Sequence, residues 1–150
     1  MKHAKLMTAA FGLALAGTIA TGAQAAELVN YKIVDETIPQ SLTGKPGDAA
    51  KGKKIVIHRK KGNCLACHVM PIPEQQFHGL TGTDLNGVGS RLDEATLRMR
   101  LVDPKVINDG TMMPSFYKTG QHRVLKKFIG KTILNAQEVE DIVAYLMTLK

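Results

Sequence analysis

Both cysteines of the chain fall within five consecutive residues, Cys64-Leu65-Ala66-Cys67-His68. The C-x-x-C-H spacing is that of c-type haem attachment. Each thiol can form a thioether to one vinyl-derived carbon of the porphyrin, and the adjacent histidine then falls beneath the iron as proximal ligand. No other feature limits the fold so strongly, because a chain tied to a haem at two points must wrap that group. The composition fits such a need: beyond residue 25 only six aromatics remain and there is no Trp, a thin core unless something else fills it. Other uses of the same residues compete. A thioredoxin-like redox pair requires a βαβ setting that the hydrophobic pattern does not offer, and a zinc site requires further Cys or His at matching spacing. A structural disulfide stays open on the pattern alone. The expectation is one covalent haem c held by Cys64, Cys67 and His68.

The compartment agrees. An apolar run from Leu6 to Ala20 follows Lys2 and Lys5 and leads to Ala23-Gln24-Ala25, an A-x-A cleavage pattern. The run is too short for a membrane span. Residues 1–25 therefore read as a cleavable signal peptide directing the chain to the periplasm, where haem c is attached. Of the formal net charge of +7, Lys2 and Lys5 supply only two, so the mature chain is basic too. Lys51, Lys53, Lys54, Lys60, Lys61, Arg98, Arg100, Lys126, Lys127 and Lys131 offer a surface that could steer an acidic redox partner, or ordinary solvated helix faces. Export and the lack of interleaved aromatics exclude nucleic acid as a partner.

Residues 26–47 contain Pro39, Gly44, Pro46 and Gly47, with β-like patches over Leu28–Val34 and Glu36–Ile38. They read as an extended N-terminal arm, too poor in apolar residues for a core of its own and so expected to order on another subunit. Residues 48–150 form the main domain. Asp48 is a candidate N-cap for a short helix reaching toward Arg59, ended by Gly62-Asn63. From Val69 to Arg91 the prolines and glycines predict loops packed closely against something. Asp93 caps a helix over Glu94–Val102, stopped by Asp103-Pro104. Asn108–Lys118 reads as loop, and Gln121–Ile129 as a possible short helix. The clearest helix is the last: Asn135 and Glu138 make a capping box, and Val139, Ile142, Val143, Leu146 and Leu149 form one stripe.

A c-type haem usually takes a second axial ligand, Met sulfur or His imidazole. Thr111-Met112-Met113-Pro114-Ser115-Phe116-Tyr117 offers two thioethers in a loop stiffened by Pro and aromatics; its place between the haem motif and the terminal helix favours ligation by Met113 over packing, and Met112 is the competing sulfur. Among histidines, His58 is too near the motif to reach the opposite haem face, and His78 and His122 read as surface residues.

Taken together, these residues resemble class I cytochrome c. The likeness rests on Gly47-Asp48-Ala49-Ala50-Lys51-Gly52, the haem motif, Gly82-Thr83-Asp84-Leu85-Asn86-Gly87-Val88-Gly89-Ser90-Arg91, Met113-Pro114-Ser115-Phe116 and Glu138 to Leu146. It implies an all-α fold around one haem, with the first and last helices crossing near Gly52 and Tyr145, and Arg91 approaching a haem propionate. Where the family usually has Pro, here stands Thr83, whose carbonyl would orient His68. More narrowly, the arm, Gly62-Asn63 before the motif, Pro71-Ile72-Pro73, the Met112–Tyr117 loop and His122-Arg123-Val124 resemble the SoxX subfamily of monohaem subunits. That resemblance implies an electron-transfer subunit of an L-cysteine S-thiosulfotransferase-type complex, not catalytic alone. The implied partners are a SoxA-like haem subunit, a small cytochrome c acceptor and a carrier protein bearing the thiosulfate-accepting cysteine. A freestanding cytochrome c of a respiratory chain is the alternative, and a haem-free thiol oxidoreductase a third.

Overall fold

Asp48 starts the first helix. Its carboxylate accepts from the Lys51 N–H at 3.0 Å, meeting one of the donors that a helix N-terminus leaves unpaired, and α1 runs over Ala49–Ile57. The computed structural model describes residues 28–121 and 124–150, so the expected signal peptide at 1–25 and His122 lie outside the described residues. Three more helices follow: α2 Val88–Arg91, α3 Glu94–Val102 and α4 Ala136–Thr148. Asp93 caps α3 through the Thr96 N–H, and Asp103-Pro104 ends it, as the sequence predicts. At α4 the capping box is present: Asn135 accepts from the Glu138 N–H at 2.9 Å, and Glu138 accepts from the Asn135 N–H at 3.0 Å.

The last helix organises the molecule, packing on α1 most extensively, then on α3 and α2. The whole predicted stripe, Val139, Ile142, Val143, Leu146 and Leu149, is buried, and it meets Val56, Leu97 and Val102 in one core. At the α1–α4 crossing the backbones nearly touch. A methyl group built at Gly52 would sit 2.0 Å from the Asp141 carbonyl oxygen and 2.8 Å from Tyr145 Cβ, so only glycine fits there.

Three expectations change. The first helix stops at Ile57, two residues short of Arg59, because His58 leaves helical geometry and its Nδ1 takes the Lys60 N–H at 3.1 Å. Within the stretch read as loop, α2 forms after a left-handed Gly87, and the Leu149 carbonyl accepts its Gly89 N–H at 2.8 Å. In place of a helix over Gln121–Ile129, the described part holds a 3-10 turn at Lys126–Phe128 with Leu125 and Ile129 exposed. Leu125 and Ile129 meet no core there, so a helix would lack the tertiary packing that short helices need.

The arm is extended, as expected, with a tight turn closed by paired hydrogen bonds between Val34 and Thr37. It does not wait for another subunit. Ile38 and Leu42 are buried, and the link between arm and helices is a buried ion pair: Arg98 Nε and Nη2 donate to the two Glu140 carboxylate oxygens at 2.8 and 2.9 Å. Arg98 Nη1 also donates to the Ile38 carbonyl, and Glu140 accepts from the Leu42 N–H, both at 2.8 Å. Arg98 and Glu140 thus replace, for the arm, the apolar core that its sequence lacks.

Candidate haem site

A 3-10 turn over Cys64–Ala66 carries the attachment motif, entered through a left-handed Asn63. The Cys64 carbonyl accepts from the N–H groups of Cys67 and His68 at 3.1 and 2.9 Å, which places both sulfurs and the imidazole on one tight bend. The glycine-rich loop lies along this bend through three backbone bonds: Gly79 N–H to Leu65 O at 2.8 Å, Gly82 N–H to Cys67 O at 2.7 Å and Leu85 N–H to Val69 O at 2.9 Å. Close packing of that loop was legible in the sequence, and the bend is what it packs against.

The approach has a consequence for His68. Its Nδ1 stands 2.7 Å from the Thr83 carbonyl oxygen, which can only accept, so Nδ1 carries the proton and Nε2 keeps its lone pair for a metal. Gly82 lies against the ring, where an added Cβ would come within 2.5 Å of Cε1. Thr83 thus takes the position that the family resemblance assigns to Pro. Cys64 and Cys67 are not joined in a disulfide, and burial pushes the Cys64 thiol up to about 12. A thiol–disulfide enzyme needs the opposite, a depressed thiol. Among the described residues no three His, Cys, Asp or Glu side chains gather, which leaves the zinc alternative without a ligand set there.

The second ligand loop separates its two methionines. Met112 is 79% exposed, whereas Met113 is half-buried and packs against the core. Beyond it the chain is pinned to the end of α3: the Phe116 N–H donates to Leu101 O at 2.9 Å and Ser115 Oγ to Asp103 Oδ1 at 2.7 Å. Lys118 bonds the other Asp103 oxygen. Burial alone would raise the Asp103 carboxyl, but the hydrogen bonds from Lys118 and Ser115 outweigh it and hold the group below its usual range.

Arg91 lies exposed at the end of α2, donating to the carbonyls of Asp84 and Asn86. Two of its five N–H donors are thereby used, and the others can meet a carboxylate. His58 is exposed at the end of α1. His78 departs from its expected place on the surface: it is half-buried, Nδ1 accepts from the Met70 N–H at 3.3 Å, and Nε2 is buried without a protein partner. The basic set shrinks as well. Arg98 is buried against Glu140, Arg100 is half-buried, and Lys51, Lys53 and Lys61 pair with Asp48, Glu74 and Glu138, leaving Lys54, Lys60, Lys126, Lys127 and Lys131 exposed. Sequence reasoning missed Asp103 and Glu140 as organising groups, since neither belongs to a spacing pattern.

A pre-set imidazole tautomer, two thiols on one bend and an inward thioether suit a His/Met-ligated haem c. Comparison with known proteins points to the same cofactor, a haem c. The sequence model of cytochrome c matches residues 49–150. Among solved structures, the crystal structure of SoxXA from P. pantotrophus contains a chain with 40% identity and a TM-score of 0.73, the match covering 80% of this chain and 94% of that one. No curated protein matches.

Proposed function

The chain belongs to the cytochrome c family, and from that premise we propose that it is the electron-transfer haem subunit of a periplasmic thiosulfate-oxidising complex. The observation that carries this reading is the extent of the likeness to the SoxXA structure. Its 80% coverage of a 150-residue chain exceeds what residues 49–150 supply, so it takes in sequence ahead of the haem domain. A minimal diffusible carrier has no use for an arm.

The family's group is one covalently bound haem c, which supplies a one-electron ferric/ferrous couple when bound. Cys64 and Cys67 give the two thioether sulfurs. Thr83 holds the Nδ1 proton of His68 and so leaves Nε2 as the atom that would bind the iron. Met113 would supply a thioether sulfur to the iron, a donor that favours the ferrous state relative to a second histidine. Arg91 meets a propionate with its remaining donors. Held by both His68 and Met113, the iron would offer no coordination site to a sulfur substrate. Joining thiosulfate to a carrier thiol releases two electrons and one proton, and that step belongs to a SoxA-like haem partner. This chain takes the electrons one at a time and passes them to a small cytochrome c. The exposed lysines favour an acidic docking face on that acceptor.

The test is co-purification with a larger haem protein from the periplasm, followed by thiosulfate-dependent reduction of this chain's haem. Reduction is expected only with the partner present. A monomer reduced by a respiratory complex and indifferent to thiosulfate would favour the freestanding carrier. Haem lost on acid-acetone extraction would remove the covalent attachment itself.

A further inference from the structure

The arm touches the molecule at two places, and the second one reaches the methionine loop. Below Ile38 the arm is anchored on α3 and α4, as described above. Ahead of that anchor, the Val29 N–H donates to Tyr117 Oη at 2.9 Å, and the Tyr31 ring packs on the Tyr117 ring with centroids 6.5 Å apart at 50°. Tyr117 is only 3% exposed and stands four residues beyond Met113. On the opposite side its segment is bonded to the end of α3 through Leu101 and Val102. The chain from Ser115 to Tyr117, directly beyond Met113 and Pro114, is therefore held by the end of α3, by the Ile133 and Leu134 N–H groups on the Phe116 carbonyl, and by the arm.

We propose that Val29 and Tyr31 are positioning residues that hold the Met113 loop closed by bracing Tyr117, which makes the arm part of the axial-ligand machinery. The inference rests on the reading of Met113 as ligand. Its physical basis is that the loop lies in no regular secondary structure. The stretch from Met112 to Pro114 makes one hydrogen bond among those of the described residues, Met113 N–H to Thr111 Oγ1 at 3.2 Å. Such segments open locally at low cost, and each contact that restrains them lowers the open population in proportion. A ligand sulfur on the loop leaves the iron whenever the loop opens, so the brace acts on ligation without touching the metal.

Imidazole, which binds ferric iron only where the methionine has left, reads that open population directly. Holoprotein of the full chain is compared with Tyr117→Phe, which removes the acceptor of the Val29 N–H but keeps the ring. A second variant lacks residues 28–33, which spares Ile38, Leu42 and the Arg98–Glu140 anchor. Tyr117→Phe is expected to bind imidazole about two- to tenfold more tightly than wild type, the loss of one hydrogen bond, and the deletion more tightly still. Both should keep a wild-type spectrum without imidazole. Should Tyr117→Phe not fold, the deletion and Tyr31→Ala carry the same test. Unchanged imidazole affinity in the variants overturns the brace, including the case where the thermal midpoint alone falls. Failure of the ligand reading looks different: the near-infrared sulfur-to-iron band would be missing from wild type, or would survive Met113→Ala. That outcome overturns the brace with it.

Discussion

Asp103 concentrates several duties in one side chain. It ends α3, accepts from Ser115 Oγ and pairs with Lys118, so it joins the last turn of a helix to the loop that presents Met113. Its carboxyl is held below the ordinary range, as are Asp48 and Asp93, whose largest cause is the N–H each caps, and Glu74, bonded by Lys53. A group whose folded value lies below its unfolded value, about 3.9 for Asp, contributes stability above that pH and loses it as pH falls through the folded value. Asp103→Asn should therefore unfold more easily than wild type at neutral pH, and the gap between them should close below about pH 4. Thermal midpoints of both proteins from pH 7 to pH 2 measure this, and a gap that does not narrow at all over that range would refute the assignment. At the same scale, the His68–Thr83 bond shows why a proline is not needed beside Gly82: the carbonyl orients the imidazole, and a carbonyl is common to every residue.

Between elements, two contacts decide the architecture and each has a distinct failure. The α1–α4 crossing depends on bare backbone at Gly52. Gly52→Val would drive a branched side chain into the Asp141 carbonyl, which cannot move aside as a side-chain tip could, so the helices must separate. Overpacking of this kind costs typically ~1–3 kcal/mol, and the chemical denaturation midpoint should fall accordingly. A Gly52→Val protein as stable as wild type would mean that the crossing is looser than drawn. The Arg98–Glu140 pair fails otherwise. Glu140→Ala leaves a buried guanidinium with only the exposed Glu94 carboxylate, 3.7 Å away, and Leu42 N–H without its acceptor, a loss of up to roughly 3–5 kcal/mol. Glu140→Gln keeps an oxygen for Leu42 and should fall between Glu140→Ala and wild type. Equal stability of the two variants in urea titrations would show that charge, rather than the arm's hydrogen bond, governs the site.

Over the whole molecule the covalent site and the arm share one support, α4, which carries Glu140 for the arm and Tyr145 for the crossing with the helix before the haem motif. An arm-deleted chain should consequently lose stability of its own before any effect on partner binding, and the comparison must be made on folded protein. Much of this was open to reading along the chain. The attachment motif, Asp48 and Asp93 as caps, the Asn135–Glu138 box and the buried stripe of α4 are local: each depends on residues a few positions apart, whose chemistry acts wherever the chain goes. Four things were not. The burial of Arg98, the binding of the arm to its own domain, the partly buried His78 and the choice of Met113 over the exposed Met112 all depend on groups distant in sequence. Glu140 lies 42 residues from Arg98 and 98 from Leu42, and Tyr117 lies 88 from Val29. Periodicity carries no information about such pairs, because a buried charge becomes tolerable only when folding delivers its partner. Local sequence thus determined α1, α3, α4 and the haem-binding bend, and tertiary packing alone decided the short α2, which charges, which methionine and which end of the arm face inward.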